Sequence, residues 1–193
     1  MPTAAVNVWA ATSYPAADMK KSLKITLCAI CSALSVSVIM LGYFPYFTYA
    51  APAVAGLFVM LPTIEISKPY AIATYITSSV LVLIFAEPET KILFVLLFGY
   101  YPIVKSLIEK IKSNALIWIL KILLFTASMA AIYLVMRYLT SIDVEDFGYL
   151  GIYGAAIFAV VCYVAFVLYD IAISRLAMFY LYRVRPNLKG VKK

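Results

Sequence analysis

The residues best suited to chemistry are sparse in this chain. It contains no histidine, and its three cysteines all lie in apolar runs. Cys28 and Cys31 have the C-x-x-C spacing of a redox pair, but with no second pair in the sequence they are better explained as small packing groups. An intramembrane enzyme would need several nucleophiles, acids or metal ligands that converge on one site. Without histidine, few residue types in this chain can serve these roles. We therefore predict no catalytic residue, no metal site, no cofactor and no enzymatic activity.

Two groups of charged residues could still suggest a site. Asp143, Glu145 and Asp146 lie between two apolar runs, where a solvated acidic loop explains them better than a metal site does. Glu65 and Lys68 have the i, i+3 spacing in PTIEISKP, and we expect them to form a structural ion pair at a turn.

Other charges lie inside or at the ends of apolar runs, where charge is costly and often functional. We expect Lys105 to extend to the lipid headgroups. Lys121 lies inside the fifth apolar run, and Asp170 lies near the end of the sixth. Lys121 can reach the headgroups or pair with Asp170, which has Arg175 as a second possible partner. A proton relay is less favoured, because its acids would lie nearer the membrane centre.

An aromatic string, GYFPYFTYA, separates the first two apolar runs. It has two interpretations: a ring belt that anchors the chain at the membrane interface, or rings that cover a small bound molecule whose orientation is fixed by a few polar groups. For the second interpretation, the candidate substrate-binding residues are Tyr46, Tyr49, Glu87, Arg137 and Tyr153.

The elements that must position these residues are membrane helices. Of 193 residues, 65% are hydrophobic and 13% are charged, with a mean hydropathy of +0.98. Such a chain cannot hide its apolar side chains in one water-soluble core. The net charge of +7 does not indicate nucleic-acid binding, because the basic residues cluster at the ends of apolar runs.

Charges and helix breakers predict an all-α fold with six transmembrane helices. Their predicted ranges are 22–42, 50–67, 69–86, 91–108, 114–138 and 147–173. Lysine and arginine gather at one set of helix ends, which places both termini in the cytoplasm by the positive-inside rule. We predict a flexible N-terminal extension over 1–18, a six-helix domain over 19–185 and a basic cytoplasmic tail over 186–193.

The first predicted helix, from KITLCAICSALSVSVIM, carries many small residues. On a helical wheel Leu27, Ile30 and Leu34 lie on one side, and the small residues Cys28, Ala29, Ser32, Ala33 and Ser35 lie on the other. Ala29 and Ala33 form an A-x-x-x-A pair, a spacing that lets another membrane helix approach closely. Ordinary packing within the bundle is the alternative explanation.

The sequence resembles the S component of an energy-coupling factor vitamin transporter. The resemblance rests on six predicted helices, a ring-rich first outer loop, and a basic start that leads into the segment Ala29-Ile30-Cys31-Ser32-Ala33. In that family the small residues of the first helix pack against a transmembrane coupling (T) subunit, which two cytoplasmic ATPases drive. The resemblance implies that Ala29 and Ala33 face this partner. It also implies a bacterial cell membrane location and a small micronutrient bound in the outer half of the bundle.

The expected function is therefore substrate capture for an importer whose energy comes from its partners. No G-x-x-x-x-G-K phosphate-binding loop occurs in the sequence, so we do not expect the chain to hydrolyse ATP itself. The alternative is a membrane scaffold of the envelope or rod-shape type, in which the small-residue face binds another span and no substrate is transported.

Overall fold

The computed structural model of the chain describes residues 20–111, 113–139 and 151–184. The predicted N-terminal extension, the tail over 186–193 and the acidic group Asp143, Glu145 and Asp146 lie outside these residues. All regular secondary structure in the described part is helical, with no strand. The all-α prediction is confirmed.

Seven α-helical segments follow one another along the described chain. They are α1 (Lys21–Ile39), α2 (Ala50–Glu65), α3 (Lys68–Phe85), α4 (Pro88–Leu93), α5 (Tyr101–Ile108), α6 (Asn114–Leu139) and α7 (Gly151–Phe179). A 3₁₀ turn over Met40–Tyr43 extends α1, a π-helical segment over Phe94–Phe98 joins α4 to α5, and a second π segment over Tyr180–Val184 follows α7.

Five stretches of the described chain are long and apolar enough to cross a membrane. They are Lys21–Tyr43, Lys68–Phe85, Pro88–Ile108, Asn114–Val135 and Ala159–Arg183. The remaining apolar helix, Ala50–Glu65, has 16 residues, which is below the usual 17–25 of a membrane-crossing helix. Length and composition thus fit a multi-pass membrane protein.

Two predicted helix ends differ from the observed ones for local reasons. The helix predicted over 91–108 begins earlier, at Pro88, because proline is well tolerated in the first turn of a helix. The last helix was predicted to end at residue 173 but continues to Phe179. Arg175 ends the apolar run without breaking the helix, and the next proline in the sequence is Pro186.

The chain divides into two compact units between Ile132 and Tyr133. The first unit holds α1 to α5 and most of α6, and the second holds the end of α6 and α7. The core of the first unit combines residues from α1, α2, α3 and the Pro88–Ile108 span. Its buried members are Ile39, Ala55, Val59, Ala71, Val82, Ala86, Phe94 and Ile103.

Small hydroxyl side chains join α1 to its neighbours inside this unit. Ser32 Oγ donates a hydrogen bond to the Thr74 carbonyl of α3 at 3.3 Å, and Ser35 Oγ donates to the Ala55 carbonyl of α2 at 3.1 Å. Both serines are buried. Because small side chains let backbones approach closely, they can bond directly to a neighbouring helix's carbonyl.

The Pro88–Ile108 span is interrupted where its hydrogen-bond pattern changes. The Gly99 amide donates to the Phe94 carbonyl at 2.7 Å, an i to i+5 bond, and the helix restarts at Tyr101 with Pro102 in its first turn. The Tyr75 hydroxyl of α3 donates to the Val95 carbonyl at 2.9 Å. A carbonyl within the π segment is thus satisfied by a neighbouring helix.

Candidate functional site

The exposed face of α1 contains the A-x-x-x-A pair. Ala29 and Ala33 are both exposed, beside Ile30 and Leu34 at 53% and 42% exposure. Nearby Ser37 is also exposed, and its hydroxyl donates to the Ala33 carbonyl at 2.9 Å. The pair therefore lies on an outward face of α1 that the rest of the first unit leaves open.

This arrangement corrects the predicted division of α1 into a small face and a large face. Ser32 and Ser35 point into the bundle, whereas Ala29 and Ala33 share the outward side with the larger Ile30. A helical wheel gives angles around the helix axis but not the position of the neighbouring helices. The small residues therefore divide into two groups: the serines pack inside the unit, and the alanines are exposed.

The aromatic string lies at one end of the first unit, which we call the aromatic end (residues 43–49 and 85–90). There the Tyr43 hydroxyl donates to the Phe85 carbonyl at 2.6 Å. Thr48 Oγ1 donates to the Gly42 carbonyl at 3.2 Å, and Thr90 Oγ1 donates to the Thr48 carbonyl at 3.5 Å. Threonine side chains therefore hold the loop against the start of α4.

Most rings of the loop point away from these anchors. Tyr46 is 94% exposed and Tyr49 is 68% exposed. Phe44 and Phe47 are exposed as well. In this conformation the rings do not enclose a ligand, and such exposure is also typical of a membrane-interface belt.

The remaining candidate substrate-binding residues are only partly described. Glu87 is half-buried directly before α4, and its Oε2 is buried with no hydrogen-bond partner among the described residues. The side chains of Arg137 and Tyr153 lie outside the described part of the structure. A shared ligand contact of the five residues stays a prediction.

A cluster of buried charged residues joins the end of α5 to α6. Lys121 Nζ contacts Glu109 Oε1 at 2.7 Å, and Lys105 Nζ contacts the same oxygen at 3.4 Å. Lys105 has no exposed surface, and Glu109 and Lys121 are 5% and 4% exposed. Two aromatic rings neighbour the lysines, with Tyr101 6.0 Å from Lys105 Nζ and Trp118 5.6 Å from Lys121 Nζ.

No protein-family model, curated protein or solved structure matches this chain.

The charged cluster was only partly predictable. Lys105 was expected to extend to the headgroups, but it is fully buried beside Glu109. Lys121 pairs with Glu109, an acid that the sequence interpretation did not single out. The available signal was the i, i+4 spacing of Lys105 and Glu109, which favours a pair on one helix face.

Chemically, the cluster can hold two helices together. A carboxylate shared by two ammonium groups gives charge-assisted hydrogen bonds that are stronger than neutral ones. Within the described residues, no group of three or more cysteine, aspartate or glutamate side chains is arranged to hold a metal ion. Glu109 Oε2 is buried and has no hydrogen-bond partner among the described residues. A buried oxygen of this kind can accept a hydrogen bond from an additional donor such as water.

Proposed function

We propose that this chain is the substrate-capture subunit of an energy-coupling factor importer. It would have six transmembrane helices, with α2 as the short one, and both termini in the cytoplasm. Its location would be a bacterial cell membrane. The family resemblance and the charge distribution of the sequence support this proposal, together with the apolar helices of the first unit.

The observation that carries the proposal is the outward position of Ala29 and Ala33 on α1. Apolar burial from water does not drive helix association inside a bilayer, so helices associate through close packing and a few hydrogen bonds. An exposed pair of alanines four residues apart, on a helix whose other side is already packed through Ser32 and Ser35, fits a docking surface for another membrane helix. In the proposed complex this helix belongs to the T subunit.

The proposed cycle has two stages. A micronutrient-sized ligand binds at the aromatic end, where Tyr46, Tyr49, Glu87, Arg137 and Tyr153 would contact it. The T subunit and its two ATPases then reorient the bundle so that the site opens to the cytoplasm. A ligand can favour closure of the loop only if it binds the closed state more tightly than the open one.

A scaffold role is the second candidate, and the exposure of Tyr46 is the observation that favours it. A ring that is 94% exposed has no ligand-enclosing position in this conformation. A scaffold would use the same α1 face to bind a different membrane protein. The two functions are therefore separated by substrate uptake and not by partner binding alone.

The docking face is tested by replacing both alanines with leucine. The Ala29→Leu/Ala33→Leu variant should lose co-purification with co-expressed T subunit and ATPases, because two leucine side chains hold the backbones apart. Ala73→Leu is the matched control, since Ala73 is also an exposed alanine on a membrane helix, α3. It should retain the complex.

The result that would contradict this docking face is full recovery of the complex by the double-leucine variant. Uptake into cells is measured with the same variants, using a panel of radiolabelled vitamins. Loss of uptake of one compound in the double-leucine variant, but not in Ala73→Leu, supports substrate capture. If the double-leucine variant loses a membrane partner but the uptake of every compound in the panel is unchanged, the scaffold role is supported.

A further inference from the structure

An apolar groove runs along the first unit between the Pro88–Ile108 span and α6. Its volume is about 510 Å³, which lies within the usual range of about 300–1,000 Å³ for small-molecule sites. The lining residues are Leu96, Tyr100, Val104, Ile108, Leu120, Leu123, Leu124, Ala127, Ser128 and Ala131.

The lining suits a hydrocarbon chain better than a polar molecule. Its two polar side chains, Tyr100 and Ser128, hydrogen-bond to each other across the groove. Ser128 Oγ also donates to the Leu124 carbonyl at 2.8 Å. Their bonding capacity is thus largely used within the protein, and the remaining surface is aliphatic. Ala127 and Ala131 leave room for the occupant, because they have the smallest side chains of the lining.

The length of the groove corresponds to one leaflet of a bilayer. Along the first wall the lining extends from Leu96 to Ile108, a distance of roughly 18 Å at about 1.5 Å per helical residue. Half of the hydrocarbon thickness of a bilayer is about 15 Å. An acyl chain that lies along the helices would fill the groove from the midpoint of the bilayer to the lipid headgroups.

One end of the groove lies beside an exposed lysine. Ile108 and Leu120 form this end, and Lys110 follows Ile108 by two residues. Lys110 is exposed, and Lys68 at the start of α3 lies within its electrostatic range. Like charges that interact favour a counter-anion near them, and basic sites between membrane helices bind anionic lipid headgroups.

We propose that the groove binds an anionic phospholipid. One acyl chain lies between the Pro88–Ile108 span and α6 along Ala127 and Ala131, and the phosphate group lies near Lys110 and Lys68. The site combines an apolar slot one leaflet long with positive charge at one end of it. This proposal does not depend on substrate capture, because the groove is separate from the α1 face and from the aromatic end.

The acyl-chain part is tested by filling the groove. Ala127→Phe and Ala131→Phe each place a ring in the lining, whereas Ala130→Phe places the same ring on an exposed position of α6 outside the lining. Each protein is delipidated, incubated with phosphatidylglycerol or phosphatidylcholine in mild detergent, and examined by native mass spectrometry. We expect phosphatidylglycerol retention to fall at least about fivefold in Ala127→Phe and Ala131→Phe and to stay unchanged in Ala130→Phe.

The headgroup part is tested by removing one surface charge. Lys110→Gln should lower phosphatidylglycerol retention about fivefold, the value of one surface lysine near an anionic lipid. Lys91→Gln is the matched control, because Lys91 lies near the aromatic end, in α4. Lys110 is exposed, so its replacement leaves packing intact, and size-exclusion chromatography checks that every variant stays monodisperse.

Three results would overturn the proposal. Equal retention of phosphatidylcholine and phosphatidylglycerol would show that charge does not select the lipid. Retention that is unchanged by both groove-filling variants would place any bound lipid elsewhere. Recovery of a non-lipid metabolite that Ala127→Phe and Ala131→Phe displace would assign the groove to a different ligand.

Discussion

Gly42 and Thr90 contact each other so closely that a single added methyl group should disturb the aromatic end. A Cβ atom on Gly42 would lie 2.6 Å from Thr90 Oγ1 and 2.9 Å from Thr90 Cγ2. Real Cβ atoms almost never approach another heavy atom within 3.0 Å. Thr90 has no exposed surface, so its side chain cannot swing into solvent to relieve the contact.

The expected effect of Gly42→Ala is a loss of about 1–3 kcal/mol in the free energy of unfolding, the usual cost of overpacking a buried site. For a chain of this size, 1 kcal/mol corresponds to about 2–4 °C in melting temperature. The melting temperature should therefore fall by roughly 2–12 °C. The same change should loosen the loop, because Thr48 bonds to the Gly42 carbonyl.

A double-mutant cycle identifies the clash as the cause. Thr90→Ala removes the two atoms that a Cβ on Gly42 would meet first, so Gly42→Ala should cost at least about 1 kcal/mol less in the Thr90→Ala background. Thermal unfolding in detergent, followed by circular dichroism, measures all four proteins. If the two changes are additive, or if Gly42→Ala does not alter the melting temperature, the reasoning from this contact is refuted.

Two further substitutions test the π segment and the charged cluster. Gly99→Ala would place a Cβ 2.8 Å from both the Phe94 carbonyl oxygen and Tyr75 Cε2, so we expect a loss of about 1–3 kcal/mol in thermal unfolding experiments; unchanged stability would argue against the π segment. Glu109→Gln removes the charge that Lys121 contacts at 2.7 Å and should cost about 3–5 kcal/mol, as breaking a buried ion pair does. A melting temperature equal to that of the unsubstituted protein would show that this pair contributes nothing to stability.

The helices themselves were predictable because their cause is local. An apolar run that is long enough to cross a bilayer specifies a helix, because no water is present there to hydrogen-bond the backbone amides and carbonyls. Charges and prolines mark the ends of such runs. The α2 and α3 boundaries illustrate this, since Glu65 and Lys68 flank the turn between them. Whether α2, with its 16 residues, crosses the membrane depends on the tilt of the helix and on its neighbours, which the sequence does not encode locally.

The partners of individual side chains were harder to predict because they depend on tertiary packing. Ala29 and Ser32 are three residues apart on α1, yet Ala29 faces outward and Ser32 bonds to the Thr74 carbonyl. Glu109 and Lys121 meet only because the chain turns between α5 and α6. The π segment over Phe94–Phe98 was likewise not predicted from the sequence.

We propose that the chain captures a small molecule and passes it to a partner-driven transport module. The most direct measurement is mild-detergent purification of the tagged chain, co-expressed with a T subunit and two ATPases, and mass spectrometry of everything that co-purifies. The account predicts a stoichiometric metabolite together with the T subunit and both ATPases. An empty protein that instead brings down envelope or cell-division components would contradict substrate capture and favour the scaffold.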